Sequence, residues 1–115
     1  MQEFDIPIIK NTYDLYKQLH IIRNKIPKQD RYSVFLKTEE HLLKVFECIL
    51  NASQLGKSEK MPSLREASSN LNLLKFFVRL MKDVKTIDNK NYILIEAQVN
   101  EIGRMLGGWI KSTQS

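Results

Sequence analysis

The chain has 115 residues, 43% of them hydrophobic and 27% charged, with only 4 glycines and 3 prolines. Those values describe one folded domain over 1–115, and so few turn-formers exclude an all-β fold. A net charge of +5 and an isoelectric point of about 9.4 suit phosphates, anionic lipids or acidic partners, and the single Cys48 excludes an intrachain disulfide.

A domain of this size has little stability to spare, so contacts with other subunits would help it. Cys48 lies in the apolar stretch 45–50, which predicts a buried and unreactive thiol. No apolar run approaches the length of a bilayer span. The opening residues carry Glu3 and Asp5 and do not resemble the apolar core of a signal peptide, so the expected compartment is the cytoplasm.

Three turn-like stretches divide the chain into four segments of helical period, expected at about 11–26, 32–55, 63–85 and 89–112. In the first, Leu15, Leu19, Ile22 and Ile26 recur on one face beside Tyr16, with Asn11 or Thr12 as the expected cap. Pro27 ends it by disfavouring helical geometry at Ile26. The second carries Phe35, Leu42, Phe46 and Ile49, flanked by Leu36, Leu43 and Leu50, and Glu39 interrupts its stripe. Gly56 then suits a left-handed residue after a helix, and Pro62 the first turn of the next. The third has Leu64, Ala67, Leu71, Leu74, Val78 and Met81, with Ser63 and Glu66 in the spacing of a capping box. The fourth, after Asp88 or Asn89 as N-cap, has Tyr92, Ile95, Val99, Ile102, Leu106 and Trp109.

Four stripes of alternating three- and four-residue spacing, joined by short connections, predict an all-α protein: an up-down-up-down antiparallel four-helix bundle. The third helix has more apolar surface than one seam needs. Leu73, Phe77, Leu80 and Val84 form a second stripe, which fits either a helix with two neighbours or a surface that meets another subunit.

Nothing in the chain resembles an active site. His20 and His41 fall on different helices without further ligands at metal-binding spacing, and the adjacent Glu39 and Glu40 point to different faces. No glycine-rich phosphate loop or nucleophile elbow is present. The expectation is a protein with no catalytic residues, no metal and no cofactor. No helix combines a basic face with a continuous Trp- or Phe-rich face, so membrane binding is not expected either.

The basic residues are more informative. Arg65, Lys75, Arg79 and Lys82 follow one another at helical spacing on the third helix, with Ser68 and Asn72 between them. Lys10 and Lys17, Lys37 and Lys44, and Arg104 and Lys111 each lie one heptad apart. Such stripes can neutralise a phosphate backbone and release its counterions, although any bundle also shows a charged face to water. With no aromatic-rich RNA-binding signature, binding would be backbone-driven and weakly sequence-specific. In the last helix Gly103 and Gly107 share a face. Because Trp109 and Ile110 continue the apolar period beyond them, they suit close approach of another helix better than helix termination.

The segment IGRMLGGWIKS at 102–112, with Leu64-Arg65-Glu66-Ala67, Leu80-Met81-Lys82-Asp83, Tyr13-Asp14-Leu15-Tyr16 and the 26–32 stretch IPKQDRY, resembles the accessory variability determinant (Avd) proteins of bacterial and phage diversity-generating retroelements. These sit in a wider four-helix-bundle group that includes proteins encoded in ribosomal RNA intervening sequences. The resemblance implies a homopentameric barrel with a positive surface. It also implies association with the retroelement's reverse transcriptase and template RNA, and support of mutagenic cDNA synthesis without polymerase activity, in the cytoplasm of a bacterial or phage-infected cell. By this analogy Arg65, Lys75, Arg79, Lys82 and Arg104 are candidate contacts to nucleic acid or polymerase. Leu73, Phe77, Leu80, Gly103, Gly107 and Trp109 are candidates for close helix packing or a subunit interface. The chain departs from the wider group after Arg31-Tyr32, where it has Ser33-Val34-Phe35-Leu36-Lys37, and Glu39, Glu40 and Glu47 make the second helix acidic, so a positive field must come from elsewhere. The competing expectation is a structural oligomerisation module of the same group with no nucleic-acid role.

Overall fold

A computed structural model describes residues 5–114 of the chain. Helix α1 spans Asp5–Ile22 and runs into a 3-10 turn at Arg23–Lys25. A one-turn helix α2, Lys28–Arg31, leads to α3 at Val34–Ser53, α4 at Met61–Asp83 and α5 at Asn89–Gln114. There is no strand among the described residues. Consecutive long helices are antiparallel neighbours. α1 and α4 each pack on both α3 and α5, which makes an up-down-up-down four-helix bundle of 44 × 21 × 20 Å. The 26 residues of α5, about 39 Å of helix at 1.5 Å per residue, set the long axis.

The core is the sum of four stripes. The buried positions of α4 and α5 are those that the three-four alternation singles out, residue for residue. α3 buries Phe35, Leu42, Val45, Cys48, Ile49 and Ala52, while Phe46 is half-buried and Leu36, Leu43 and Leu50 stay exposed. Burial pushes the Cys48 thiol up, and the nearby Glu66 adds to it, so the thiolate is disfavoured.

The termini of the helices differ from the sequence expectation, for local reasons. α1 begins at Asp5 rather than near Asn11, because Pro7 is tolerated in a first turn and Ile8 joins the core at 1% exposure. Thr12 is therefore inside the helix and caps nothing; its hydroxyl donates back to the Ile8 carbonyl at 2.8 Å. The helix stops at Ile22, short of the expected 26, and Ile26 is extended ahead of Pro27 (ψ 134°). Arg31 then clamps this connector, donating from Nε to the Ile26 carbonyl and from Nη2 to that of Asn24, each at 3.1 Å. This gives the 27–32 element its physical role.

The capping box expected at Ser63 does not form. α4 starts two residues earlier, with Pro62 in its first turn, and the Ser63 hydroxyl accepts a hydrogen bond from Asn51 of α3 at 2.7 Å. Gly56 is not left-handed; the one described residue of positive φ is Lys85, at 65°. It closes α4 in a Schellman arrangement. The Thr86 N–H donates to the Met81 carbonyl at 2.8 Å, and the Lys85 N–H to that of Lys82 at 3.1 Å. Asp88 does cap α5, accepting from the Asn91 N–H at 2.7 Å.

Among the described residues Glu39 is the one buried carboxylate, 8% exposed. Burial pushes its carboxyl above the usual carboxylate range, against the smaller opposing influences of Arg23 and His20.

Two predictions follow from these local features. A non-glycine residue in left-handed geometry costs about 1 kcal/mol, so Lys85→Gly should stabilise the fold by up to about that amount in urea unfolding at fixed protein concentration. A carboxyl whose folded pKa is raised holds its proton more tightly when folded, so its contribution to stability is full below the unfolded-state pKa and declines as pH rises to the folded one. Glu39→Gln should therefore raise Tm at pH 7, with the gain shrinking on acidification through the carboxylate range. A gain independent of pH would contradict the assignment.

Candidate nucleic-acid interface

Helical register gives α4 two unlike edges. On the α3 side, His41 of α3 stacks on Phe77 with ring centroids 5.3 Å apart and donates from Nδ1 to the Asn70 side-chain oxygen at 3.0 Å. Lys44 of α3 pairs with Glu66 at 3.5 Å on the same edge. Leu73 and Leu80 extend it outward at 45% and 43% exposure. On the α5 side the edge is cationic. Lys75, Val78 and Arg79 form one wall of a groove of about 450 Å³ whose other wall is Tyr92, Glu96, Val99 and Asn100 of α5.

The five basic candidates divide accordingly. Lys75 and Arg79 line the groove, and Lys82 lies over the ring of Tyr92, its Nζ 4.6 Å from the centroid. Arg104 is exposed one residue beyond Gly103, to which the Lys75 ammonium lies close. Arg65 is exposed ten residues before Lys75, towards the other end of α4, outside the groove lining. Two of the five carry counter-ions: Arg79 pairs with Asp83 at 3.2 Å, and Arg104 pairs with Glu101, holding that carboxyl below its usual range. Among the described residues, Arg65 and Lys75 have no ion-pair partner. The Tyr92 hydroxyl donates to Glu96, and that hydrogen bond, ahead of burial, raises the phenol's pKa.

The packing candidates also separate. Trp109 is core, 3% exposed, with the buried Lys60 ammonium 5.3 Å from its centroid. Gly103 faces α4, but a methyl group there would make only ordinary contact, 3.5 Å from Leu71 Cδ2. Nothing lies within 4 Å of where a Gly107 side chain would be. The close approach expected of these two glycines is thus not made inside the subunit.

Sequence reasoning missed Phe76 and the α5 wall. Phe76 lines the groove at 75% exposure, the highest of any large apolar side chain described. Its signal was present: it belongs to neither apolar stripe of α4 and sits among the spaced basic residues. Asn100 and Glu96 gave none, since isolated polar residues on a bundle helix are ordinary.

This fold and face define a helical-bundle protein with a cationic edge. The chain matches the bAvd-like family over residues 7–113 and belongs to it; it is an Avd-type accessory protein. No curated protein matches. Among solved structures it is similar to a protein of unknown function from the S23 ribosomal protein family of Bacteroides thetaiotaomicron. The TM-score is 0.84 at 15% identity, covering 94% of this chain and 98% of that one, which shows a shared fold. Among the described residues, no helix is long and apolar enough to cross a membrane.

If no neighbour needs the space at Gly107, Gly107→Ala should stabilise the helix by about 1 kcal/mol and leave the solution mass unchanged. Loss of stability or of assembly would instead place Gly107 against another subunit.

Proposed function

We propose that this chain is a non-catalytic accessory protein of a diversity-generating retroelement. It binds the reverse transcriptase and its template RNA or cDNA through the α4/α5 face, as a cytoplasmic homo-oligomer, a pentamer by analogy with the Avd proteins. The observation that carries this reading is the gathering of Lys75, Arg79 and Lys82 on one edge of α4, opposite α5, in a chain of the bAvd-like family. A line of cations on a rigid helix meets successive phosphates at little ordering cost, and each neutralised phosphate releases counterions. Such contacts position a strand without reading its sequence, consistent with weak specificity.

A second reading, oligomerisation without a nucleic-acid role, draws on the exposed apolar side chains. Leu73 and Leu80 lie on the α3 edge of α4, with Val84 just beyond its end, while Tyr13, Ile21 and Leu43 line a groove between α1 and α3. Unlike patches on different faces suit head-to-tail contacts that close a ring. The two readings are compatible, and only the first requires the cations.

The discriminating measurement is affinity for the template RNA across a salt series. The wild-type protein should bind with a steep negative dependence of log K on log salt. Lys75→Gln, Arg79→Gln and Lys82→Gln combined should flatten that slope by about 0.7 per lost phosphate contact. They should also weaken capture of the reverse transcriptase–RNA complex while leaving the oligomer's mass intact. Absence of binding at low salt would leave the structural reading in place.

A further inference from the structure

Phosphate contacts alone do not account for Phe76. A ring 75% exposed at the mouth of a groove keeps a large apolar surface in water. It makes no ring-stacking or cation–π contact with any described residue. We propose that Phe76 is a stacking platform for an unpaired base, so that the α4/α5 groove takes single-stranded nucleic acid in preference to duplex. This rests on the nucleic-acid reading above and adds the form of the ligand to it.

The argument is one of matched chemistry. A nucleotide in an open strand presents an apolar, polarisable face with an anion on either side. Phe76 presents a ring next to Lys75 in the chain, with Arg79 one turn from Lys75, about 6 Å along the helix. Both cations and the ring line the same groove. A base on the ring would lie towards Asn72 and Asn100, whose amides can donate or accept, and towards Glu96, which can accept from a base N–H. A duplex keeps its base faces stacked on one another, so the ring could gain nothing there. An apolar protein partner would have to desolvate Lys75, which has no ion-pair partner among the described residues. A single strand covers the ring and neutralises the lysine together.

The test is fluorescence anisotropy with a labelled oligouridine strand and a duplex of equal length, using the full chain. Wild type should prefer the single strand. Phe76→Ala should weaken single-strand binding about 5- to 150-fold at fixed salt, leaving the salt slope and duplex binding unchanged. Phe76→Trp should retain affinity, and its new indole should be quenched when the strand binds; the native Trp109 is buried and serves as the background. Wild-type affinity in Phe76→Ala, or a changed solution mass for it, would overturn the platform. If Lys75→Gln with Arg79→Gln weakens binding while Phe76→Ala does not, the phosphate reading stands and the stacking claim fails. If the wild-type protein binds neither probe at low salt, the nucleic-acid reading fails with it.

Discussion

An amphipathic helix in water owes its persistence to having its apolar stripe covered, because propensity alone barely holds a helix of this length. In this bundle each of the four long helices is covered by two neighbours, and each thereby becomes a rod with a buried stripe and two edges. Everything on the surface is placed by that arrangement. α4 is the clearest case. Leu64 to Met81 fix its rotation, and that rotation turns Leu73 and Leu80 towards the α3 side and Lys75 and Arg79 towards α5. One helix thus separates an oily edge from a cationic one, and the two can serve different partners without competing for residues.

The stripes were readable because they repeat. Six positions on α4 and six on α5 follow the three-four alternation, and no local preference disturbs them. Helix ends were harder, since they depend on single hydrogen bonds. Thr12 has the right chemistry to cap but lies one turn after Ile8, which the core requires, and the core prevailed. Ser63 likewise satisfies Asn51 across the α3–α4 contact instead of its own helix. Gly56 has the right residue type for a left-handed position, yet that geometry falls on Lys85, where Thr86 and Ile87 must be brought back to the Met81 carbonyl.

The candidate site was half readable. Spacing groups Lys75, Arg79 and Lys82, because those residues share one helix. The opposite wall could not be found the same way, since Tyr92, Glu96 and Asn100 meet α4 only after folding. The likeness to the Bacteroides protein makes the same point from another direction: at 15% identity the bundle persists. Stripe periodicity is what the fold needs, and it does not dictate which residues stand at the exposed positions.

At one end of the bundle the connector before α3 meets the connector before α5. The Thr86 hydroxyl donates to the Asp30 carboxylate at 3.1 Å, across 56 residues of sequence, while Arg31 binds the first connector to itself. Two loops tied in this way cannot straighten independently. Exchange of α1 between two copies, the usual hazard of small bundles with short hinges, would first have to undo the Asp30–Thr86 link and the Arg31 clamp. The bundle is thereby biased to stay a closed unit, with no helix traded between copies.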